Sequence, residues 1–573
     1  MSALIQKIRD NVIGQYQPIR TPFGDKPLIY ADYTASGRSL AFVEDMIRDQ
    51  VLPFYANTHT ETTLTGARTT AWRESAREMI RRAVKGSKQD KVIFCGSGAT
   101  AAINKLIDVL NLRLPAELSL RCSLADAVPE SLKPVVFIGP YEHHSNELPW
   151  RESIAEVEVI PLDARGGIDV VALETALEKH CSRCLLIGSF SAASNVTGIK
   201  SDVQAVTAIL KRYGALACWD YAAAGPYVDI DMNADCPLDA IFLSPHKFVG
   251  GPGTPGILVA KEHLFRNQVP AMIGGGTVSY VTPLDHVYVK DVERREEGGT
   301  PAIVESIRAG LVFSLQQQVG TDVIQRREGE LSHKAMLRLT ACKNIEVLGS
   351  ADAERLPIFS LRFYCGQGSG KSTVRQELHY GFVVSLLNDL FGIQVRGGCS
   401  CAGPYAHTLL GMDMEFSKQI EDAVTCGVGV LRPGWVRLNF NYFISDQEFE
   451  YLLGALELVA EHGWRLLPCY RYDAAHGVWR HRDQQAGRED LMAELCWLQT
   501  DFTVARESGE SGHDRPPCVQ PDLAALLAQA GQELCDMQYK TPAHDLSLSD
   551  AHESLRWFMQ PGEALSEVYA QGH

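Results

Sequence analysis

The sequence predicts an α/β protein, with a large domain built on a mainly parallel sheet and a smaller α+β domain after it. Three observations carry the prediction. Short apolar runs alternate with helix-period stretches from about residue 91 to residue 260, the pattern of strand–helix–strand units. Past residue 301 the alternation gives way to a long helical stretch, 302–339, then a strand at 356–363 and a helix at 374–391. At 573 residues the chain is also long enough for more than one core. The expected division is an N-terminal segment, 1–29; a large domain, 30–310; a small domain, 311–461; and a C-terminal extension, 462–573.

Composition narrows the class. Hydrophobic residues at 45% and charged residues at 22% are ordinary for a globular protein. A net charge of −16 disfavours nucleic acid or an anionic membrane surface as partner. No apolar run approaches the roughly 18–20 residues of a membrane helix. Residues 1–10 are amphipathic, with Lys7 and Arg9, and lack a signal-peptide core, so a cytoplasmic protein is expected. The 15 cysteines are odd in number and scattered, which suits buried free thiols in a reducing compartment. They form no pair of CxxC motifs with zinc spacing, and no metal is expected.

The elements follow in order. Residues 30–37, Tyr-Ala-Asp-Tyr-Thr-Ala-Ser-Gly, and 57–61, Asn-Thr-His-Thr-Glu, read as polar loops flanking a helix at 40–52. A helix at 68–84 comes next, with a heavily basic face expected to be exposed. In Lys91-Val-Ile-Phe-Cys-Gly-Ser-Gly-Ala-Thr100 an apolar strand runs into a glycine turn and then a helix N-terminus. Free backbone N–H groups and the positive dipole end make that a place for a phosphate, although such turns are common without a ligand.

Strands are expected at 135–138, 157–161, 184–190, 216–220, 240–243 and 256–260, and helices at 170–179 and 201–213. In a parallel sheet, functional residues gather at the strand C-termini. Tyr141-Glu-His-His-Ser follows the first of these strands. Its histidines are either plain loop residues or a ring able to stack on a cofactor and exchange protons near neutral pH. Asn195, in Ser194-Asn-Val-Thr-Gly198, can donate to a phenolate oxygen. Asp220 ends a strand ahead of Ala222-Ala-Ala-Gly225, and a carboxylate buried there needs a cationic partner. Lys247 lies in Ser244-Pro-His-Lys-Phe-Val-Gly-Gly-Pro-Gly-Thr-Pro-Gly256, between two apolar runs. A loop lysine is ordinarily solvated. One held between a strand end and a rigid turn suits a lowered pKa and Schiff-base chemistry.

In that order, the turn, histidine, asparagine, aspartate and lysine resemble the class V aminotransferase and cysteine desulfurase family, over roughly residues 30–458. The resemblance implies the pyridoxal-phosphate aspartate-aminotransferase-like fold (fold type I) and pyridoxal 5′-phosphate as cofactor. Lys247 would carry the cofactor as a Schiff base, and Ser244, His246, Ala99 and Thr100 would contact its phosphate. Asp220 would keep the pyridine nitrogen protonated, which makes the ring an electron sink. His143 would stack on the ring and relay protons, with Ala222 against the other face and Asn195 at the ring oxygen. Thr300, in Gly298-Gly-Thr-Pro301, would complete the phosphate site of a partner subunit, which implies a homodimer with shared sites.

Two further motifs bear on the reaction. Val436-Arg-Leu-Asn-Phe-Asn441 resembles the strand whose arginine holds the substrate α-carboxylate, here Arg437. Arg396-Gly-Gly-Cys-Ser-Cys-Ala-Gly-Pro404 resembles the catalytic-cysteine loop of the second group of cysteine desulfurases, with Cys401 at the cysteine position and Cys399 nearby. The implied activity moves sulfur from L-cysteine to Cys401 as a persulfide and releases L-alanine, with a sulfur-acceptor protein as a further partner. Three positions depart from that pattern. Ala223 stands where a glutamine is usual and resembles the alanine-rich version in molybdenum-cofactor sulfurases, and Cys399 and Ser400 replace a histidine pair. The alternative is a class V aminotransferase, β-lyase or epimerase acting on another amino acid, with Cys401 not catalytic. From about residue 462 the resemblance ends. A hairpin at 468–480, a polar loop at 507–520 and a helix at 523–537 are expected there, in a structural or dimer-packing role.

Overall fold

Seven apolar runs assemble into one sheet. They are β1 (Asp90–Phe94), β2 (Val135–Ile138), β3 (Glu156–Val159), β4 (Leu186–Ser191), β5 (Leu216–Asp220), β6 (Ala240–Leu243) and β7 (Ile257–Lys261). The computed structural model describes residues 3–58, 60–365, 376–484, 520–536 and 542–570. The spatial order is β1-β7-β6-β5-β4-β2-β3. From β3 to β6 every pairing is parallel, and β7 runs antiparallel to both β6 and β1. β2, β4 and β6 are buried along their whole length, as expected for strands covered by helices on both faces.

The crossovers explain the directions. Helices Val170–Lys179 and Val203–Arg212 carry the chain from β3 to β4 and from β4 to β5, each capped by an aspartate, Asp169 or Asp202. β6 instead returns through the glycine turn of residues 244–256, which is too short for a crossover helix, so β7 is reversed.

A second sheet holds β8 (Ile345–Val347), β9 (Ile358–Tyr364), β10 (Glu377–Leu378), β11 (Arg396–Gly398) and β12 (Trp435–Asn439). Its order is β8-β9-β12-β11, with β10 also on β9, and all pairs are antiparallel. Helices Tyr380–Phe391 and Asp446–His462 bury their apolar faces in the same core. Ile29–Tyr30 pairs with Ile393–Gln394, and the Asn439 N–H donates to the Ala31 carbonyl at 2.9 Å. The N-terminal loop thereby lies across this second sheet.

The local elements differ from expectation in physically clear ways. The helix expected at 40–52 is α-helical only over Ala41–Met46; it widens into a π turn at Ile47–Val51 and ends in a 3-10 turn around Pro53. The helix expected at 68–84 spans Leu64–Ala83, because Thr63 caps it by accepting from the Gly66 N–H. Its basic face is partly inside. Arg73 and Arg77 are only 6% and 3% exposed. Both pair with buried Glu297 and lie over the Phe94 ring. The charges are tolerated because each has a partner. The helical stretch 302–339 is two helices, Ile303–Val319 and Thr321–Ala341, separated by Gly320 at φ 89°. Residues 374 and 375 lie outside the described residues, and the helix that follows is Tyr380–Phe391 behind the short β10. The C-terminal hairpin is Tyr470–Asp473 with Val478–His481, and a helix spans Leu523–Cys535. The loop expected at 507–520 lies, except for Gln520, outside the described residues.

Candidate active site

The C-terminal ends of β4, β5 and β6 and the loops after them open into a cleft of about 490 Å3, closed on the far side by the loop after β11. Ala99, Thr100, His143, Asn195, Asp220, Ala222, Ser244, His246, Lys247, Cys401 and Arg437 all line it. Of the site residues expected from sequence, Thr300 is the exception. It lies outside this cleft, exposed, where it accepts from Asn57 Nδ2 at 3.3 Å.

Lys247 ends a 3-10 turn, Pro245–Lys247, which Ser244 joins to the end of β6 at Leu243. Removal from water is the main force on its amine, and Arg437 and Arg396 add to it. Asp220 and Asp32 act the other way, and the balance brings its pKa down to about 8. His246 beside it falls to about 4, through burial and then the Lys247 charge. The glycine turn that follows is dictated by crowding. A Cβ on Gly256 would lie 1.9 Å from the Gly98 carbonyl oxygen, so the lysine turn and the Gly-Ser-Gly turn touch backbone to backbone. Gly98 has φ +55°, and a Cβ there would meet His246 Cε1 and Ser244 Oγ at 2.9 Å.

Helix Gly98–Val109 begins at that contact. Ser244 Oγ accepts from the Ala99 N–H at 2.8 Å, and Thr100 Oγ1 shares a 2.6 Å hydrogen bond with Ser145 Oγ. The expected contacts of Ala99 and Thr100 with a phosphate thus begin from groups already engaged within the protein. Asp220 Oδ1 accepts from the Ala222 N–H at 2.8 Å, and burial raises the carboxyl's pKa. His143 is neutral: burial first, then Lys247, takes its pKa to about 3. Its Nδ1 accepts from the Ser145 N–H at 3.1 Å, which leaves the ring proton on Nε2. The imidazole is set to donate there rather than to take up a proton. Asn195 does more than expected. Its Nδ2 donates to the Ser400 carbonyl at 2.8 Å, and its own carbonyl accepts from Arg437 Nη1 at 3.1 Å.

Several functional candidates escaped sequence reasoning. Asp32 accepts from Arg437 Nη2 at 2.9 Å and lies 3.3 Å from Arg396 Nε, so one carboxylate spans two arginines. It belongs to the polar loop at 30–37, between Ala31 and Tyr33, where nothing in the sequence marks it out. His144 holds the cysteine loop at two points, Cys401 and Gly403. Its N–H donates to the Cys401 carbonyl at 2.8 Å, and its Nε2 accepts from the Gly403 N–H at 2.9 Å. Ser400 and Cys401 both adopt left-handed backbone, at φ 55° and 57°. Such conformations cost non-glycine residues ~1–3 kcal/mol each and persist only where the surroundings over-determine them. The bonds from His144 and Asn195 are those surroundings. Cys401 is exposed at the cleft, while Cys399 is half-buried against the core.

The residues fit pyridoxal phosphate. Thr34 Oγ1, Ser400 Oγ and Arg437 Nε are buried without a protein partner, and all three residues line the cleft. Such atoms call for a polar ligand. Asp220 forms no ion pair among the described residues, although the Lys247 charge acts on it, and a pyridinium would be a closer partner; Lys247 is a neutralisable amine; Gly98 opens a helix N-terminus. Among the described residues there is no group of three or more side chains able to hold a metal, and no helix long and apolar enough to cross a membrane.

Comparison with known proteins gives the family and the fold. Proteins named "Probable cysteine desulfurase" are similar to the chain. That of Halalkalibacterium halodurans is 29% identical, over 66% of this chain and 85% of its own length. That of Staphylococcus aureus is 26% identical, over 69% and 88%. Among solved structures, the apo cysteine desulfurase of Thermococcus onnurineus aligns with a TM-score of 0.60 at 23% identity, covering 76% of this chain and 94% of that one. Escherichia coli cysteine desulfurase CsdA gives 0.57 at 20%, covering 75% and 93%. At these identities the structures show the fold, which is that of the fold type I enzymes. The family description Aminotransferase class-V matches residues 29–448. With that match over most of its length, the chain belongs to the class V aminotransferase family, whose members use pyridoxal 5′-phosphate.

Proposed function

We propose that the protein is a pyridoxal-phosphate-dependent cysteine desulfurase, which takes sulfur from L-cysteine onto Cys401 and releases L-alanine. The observation that carries this reading is Cys401 itself. It stands exposed at the mouth of the cleft that Lys247 lines, on a strained loop tied to His144 and Asn195. The names of the relatives support it.

Bound in the cleft, pyridoxal phosphate supplies an electron sink that acidifies the substrate Cα–H and loosens the bond to sulfur. Lys247 would hold the cofactor, and Asp220 would balance the charge of its pyridine nitrogen. Ser244, His246, Ala99 and Thr100 surround the place for its phosphate, and Ala222, His143 and Asn195 the place for its ring. Arg437 receives the substrate carboxylate with the Nε–H that has no protein partner. Lys247 Nζ, a base lining the cleft, takes the Cα proton and returns it. His143, protonated on Nε2, orients rather than relays. The Cys401 sulfur, as thiolate, attacks the substrate sulfur: an S–S bond forms, the C–S bond breaks, and its electron pair is protonated to give the methyl group of alanine. One cysteine and one enzyme thiol become one alanine and one enzyme persulfide.

The large domain at 30–310 would hold the cofactor, the small domain at 311–461 the cysteine loop, and 462–573 an appendage. A homodimer with shared sites is supported by Thr300, outside its own cleft, and by the strand pair Val278–Val281 and His286–Tyr288. Around this pair Ile273, Tyr280 and Leu284 are 67%, 69% and 98% exposed, as residues awaiting a second copy would be. The exposure of Cys401 suits hand-over of sulfur to an acceptor protein. The deciding experiment is Cys401→Ala. Alanine release from cysteine should stop while the visible cofactor absorbance persists. Full activity in that variant would remove Cys401 as nucleophile; pyruvate in place of alanine from cysteine, or dependence on a keto acid, would favour a β-lyase or an aminotransferase.

A further inference from the structure

The extension beyond residue 462 lies outside the family match, yet part of it packs directly behind the cysteine loop. The contact begins at β11, the strand that delivers the chain to Cys399, Ser400 and Cys401. Gly397 on β11 and Gly434 before β12 have no side chains, and the Tyr380 ring fills that space. A Cβ on Gly397 would lie 2.7 Å from Tyr380 Cδ2, and one on Gly434 would lie 2.8 Å from Tyr380 Cε1. The ring is thus flat against the root of the loop, and Cys399 is among the groups acting on its hydroxyl.

Trp557, from the extension, stacks offset beside this ring. Its indole is nearly parallel to Tyr380, at 14° and 6.2 Å, and to His379, at 21° and 5.3 Å. Three bonds fix the stack. Trp557 Nε1 donates to the Leu431 carbonyl at 3.0 Å. Trp479 Nε1, on the C-terminal hairpin, donates to His379 Nδ1 at 3.1 Å. The Met559 N–H donates to the Glu377 carbonyl at 2.8 Å. Phe558, at 2% exposed, meets His379 edge-on. A layer of extension side chains therefore lies against a layer from helix Tyr380–Phe391, which lies against the root of the loop.

We propose that Trp557 is a positioning residue for the cysteine loop: through Tyr380 it holds the strand that presents Cys401, so that the extension governs sulfur transfer and not cofactor binding. The proposal rests on Cys401 being the nucleophile. The shape of the site favours it. The loop's backbone at Ser400 and Cys401 is strained, and His144 and Asn195 bond to it there. Tyr380 packs on its root, at Gly397 and at Gly434 beside it.

The test uses the full-length holoenzyme with Trp557→Ala, Trp557→Phe, and Leu534→Ala as a control buried in the same core but away from the stack. Two readouts are taken: kcat and KM for alanine release, and the rate at which iodoacetamide alkylates Cys401, read by peptide mass spectrometry. Trp557→Ala should lower kcat about tenfold or more with KM little changed, since small misplacements of a reacting group cost that much. It should also change the Cys401 alkylation rate several-fold, while cofactor absorbance stays as in the wild type. Trp557→Phe should restore most of both, and Leu534→Ala should alter thermal stability only. Equal losses in Trp557→Ala and Leu534→Ala, or a Trp557→Ala protein with wild-type kcat and alkylation, would overturn the proposal. If the protein releases no alanine from cysteine at all, the desulfurase reading fails, while the alkylation rate still decides the role of Trp557.

Discussion

Lys247 offers a quantitative test of the site before any substrate is added. Its amine is pulled from an ordinary 10.5 to about 8 by loss of water, with Arg437 and Arg396 helping and Asp220 and Asp32 opposing. The neutral amine is the form that condenses with an aldehyde. At pH 7 a pKa of about 8 leaves about one molecule in ten neutral, against about one in 3,000 for an ordinary lysine, a gain of about 300-fold. The sign follows: the pH-dependent rate of loading apo-protein with pyridoxal phosphate should rise from pH 6 and level off above about 8, not above 10. Stopped-flow absorbance of the bound cofactor measures it, beside the same reaction with a free ε-amine, so that titration of the aldehyde cancels. Arg437→Met should move the midpoint up, and Asp220→Asn should move it down, because these neighbours act in opposite directions. A midpoint near 10, or shifts of the reverse sign, would refute this account of the lysine's environment.

Three more outcomes follow from named contacts. Gly98→Ala forces a side chain onto φ +55° and within 2.9 Å of His246 and Ser244; stability should fall by about 1–3 kcal/mol in thermal unfolding, and cofactor should bind more weakly in dialysis. Asp32→Asn removes the anion shared by Arg396 and Arg437; alanine should bind the holoenzyme several-fold tighter, by about 1 kcal/mol, while kcat for cysteine falls, and weaker alanine binding would count against the carboxylate site. His144→Ala deprives the Gly403 N–H of its acceptor; persulfide formation on Cys401 should slow about tenfold, in line with a loss of about 1–2 kcal/mol, with the cofactor spectrum unchanged.

Much of the frame was legible because local pattern and burial agree there. The strands at 135–138, 216–220 and 240–243 and the helix at 170–179 lie where apolar periodicity put them. The Gly-Ser-Gly turn and Lys247, each common alone, could be read because they stand in one order with His143, Asn195 and Asp220 along the chain. What escaped depends on contacts between distant parts of the chain. Asp32 meets Arg437 across 405 positions, and nothing near either residue announces the other. Arg73 and Arg77 look like a solvated basic face until Glu297 arrives from the other side. The double duty of Asn195 and the clamp of His144 are equally invisible, because each is completed by the backbone of the cysteine loop rather than by a side chain. The C-terminal extension reads as packing in the sequence, and its partners His379 and Tyr380 are not legible there, since aromatic residues say nothing of what they stack on.

The backbone contact between Gly98 and Gly256 also constrains the order in which the molecule can form. The two turns are 158 residues apart (256 minus 98), and β7 can bring them together only by pairing with β1 at the sheet's edge. Closing so long a loop is entropically costly and slow, so this pairing belongs late in folding. A half-made protein would own the lysine turn and the helix that begins at Gly98, yet no shared floor between them. Cofactor added during synthesis would then find its full site only once the edge strand is in place. Its binding would draw partly assembled chains towards the finished sheet, as any ligand selective for the native state does.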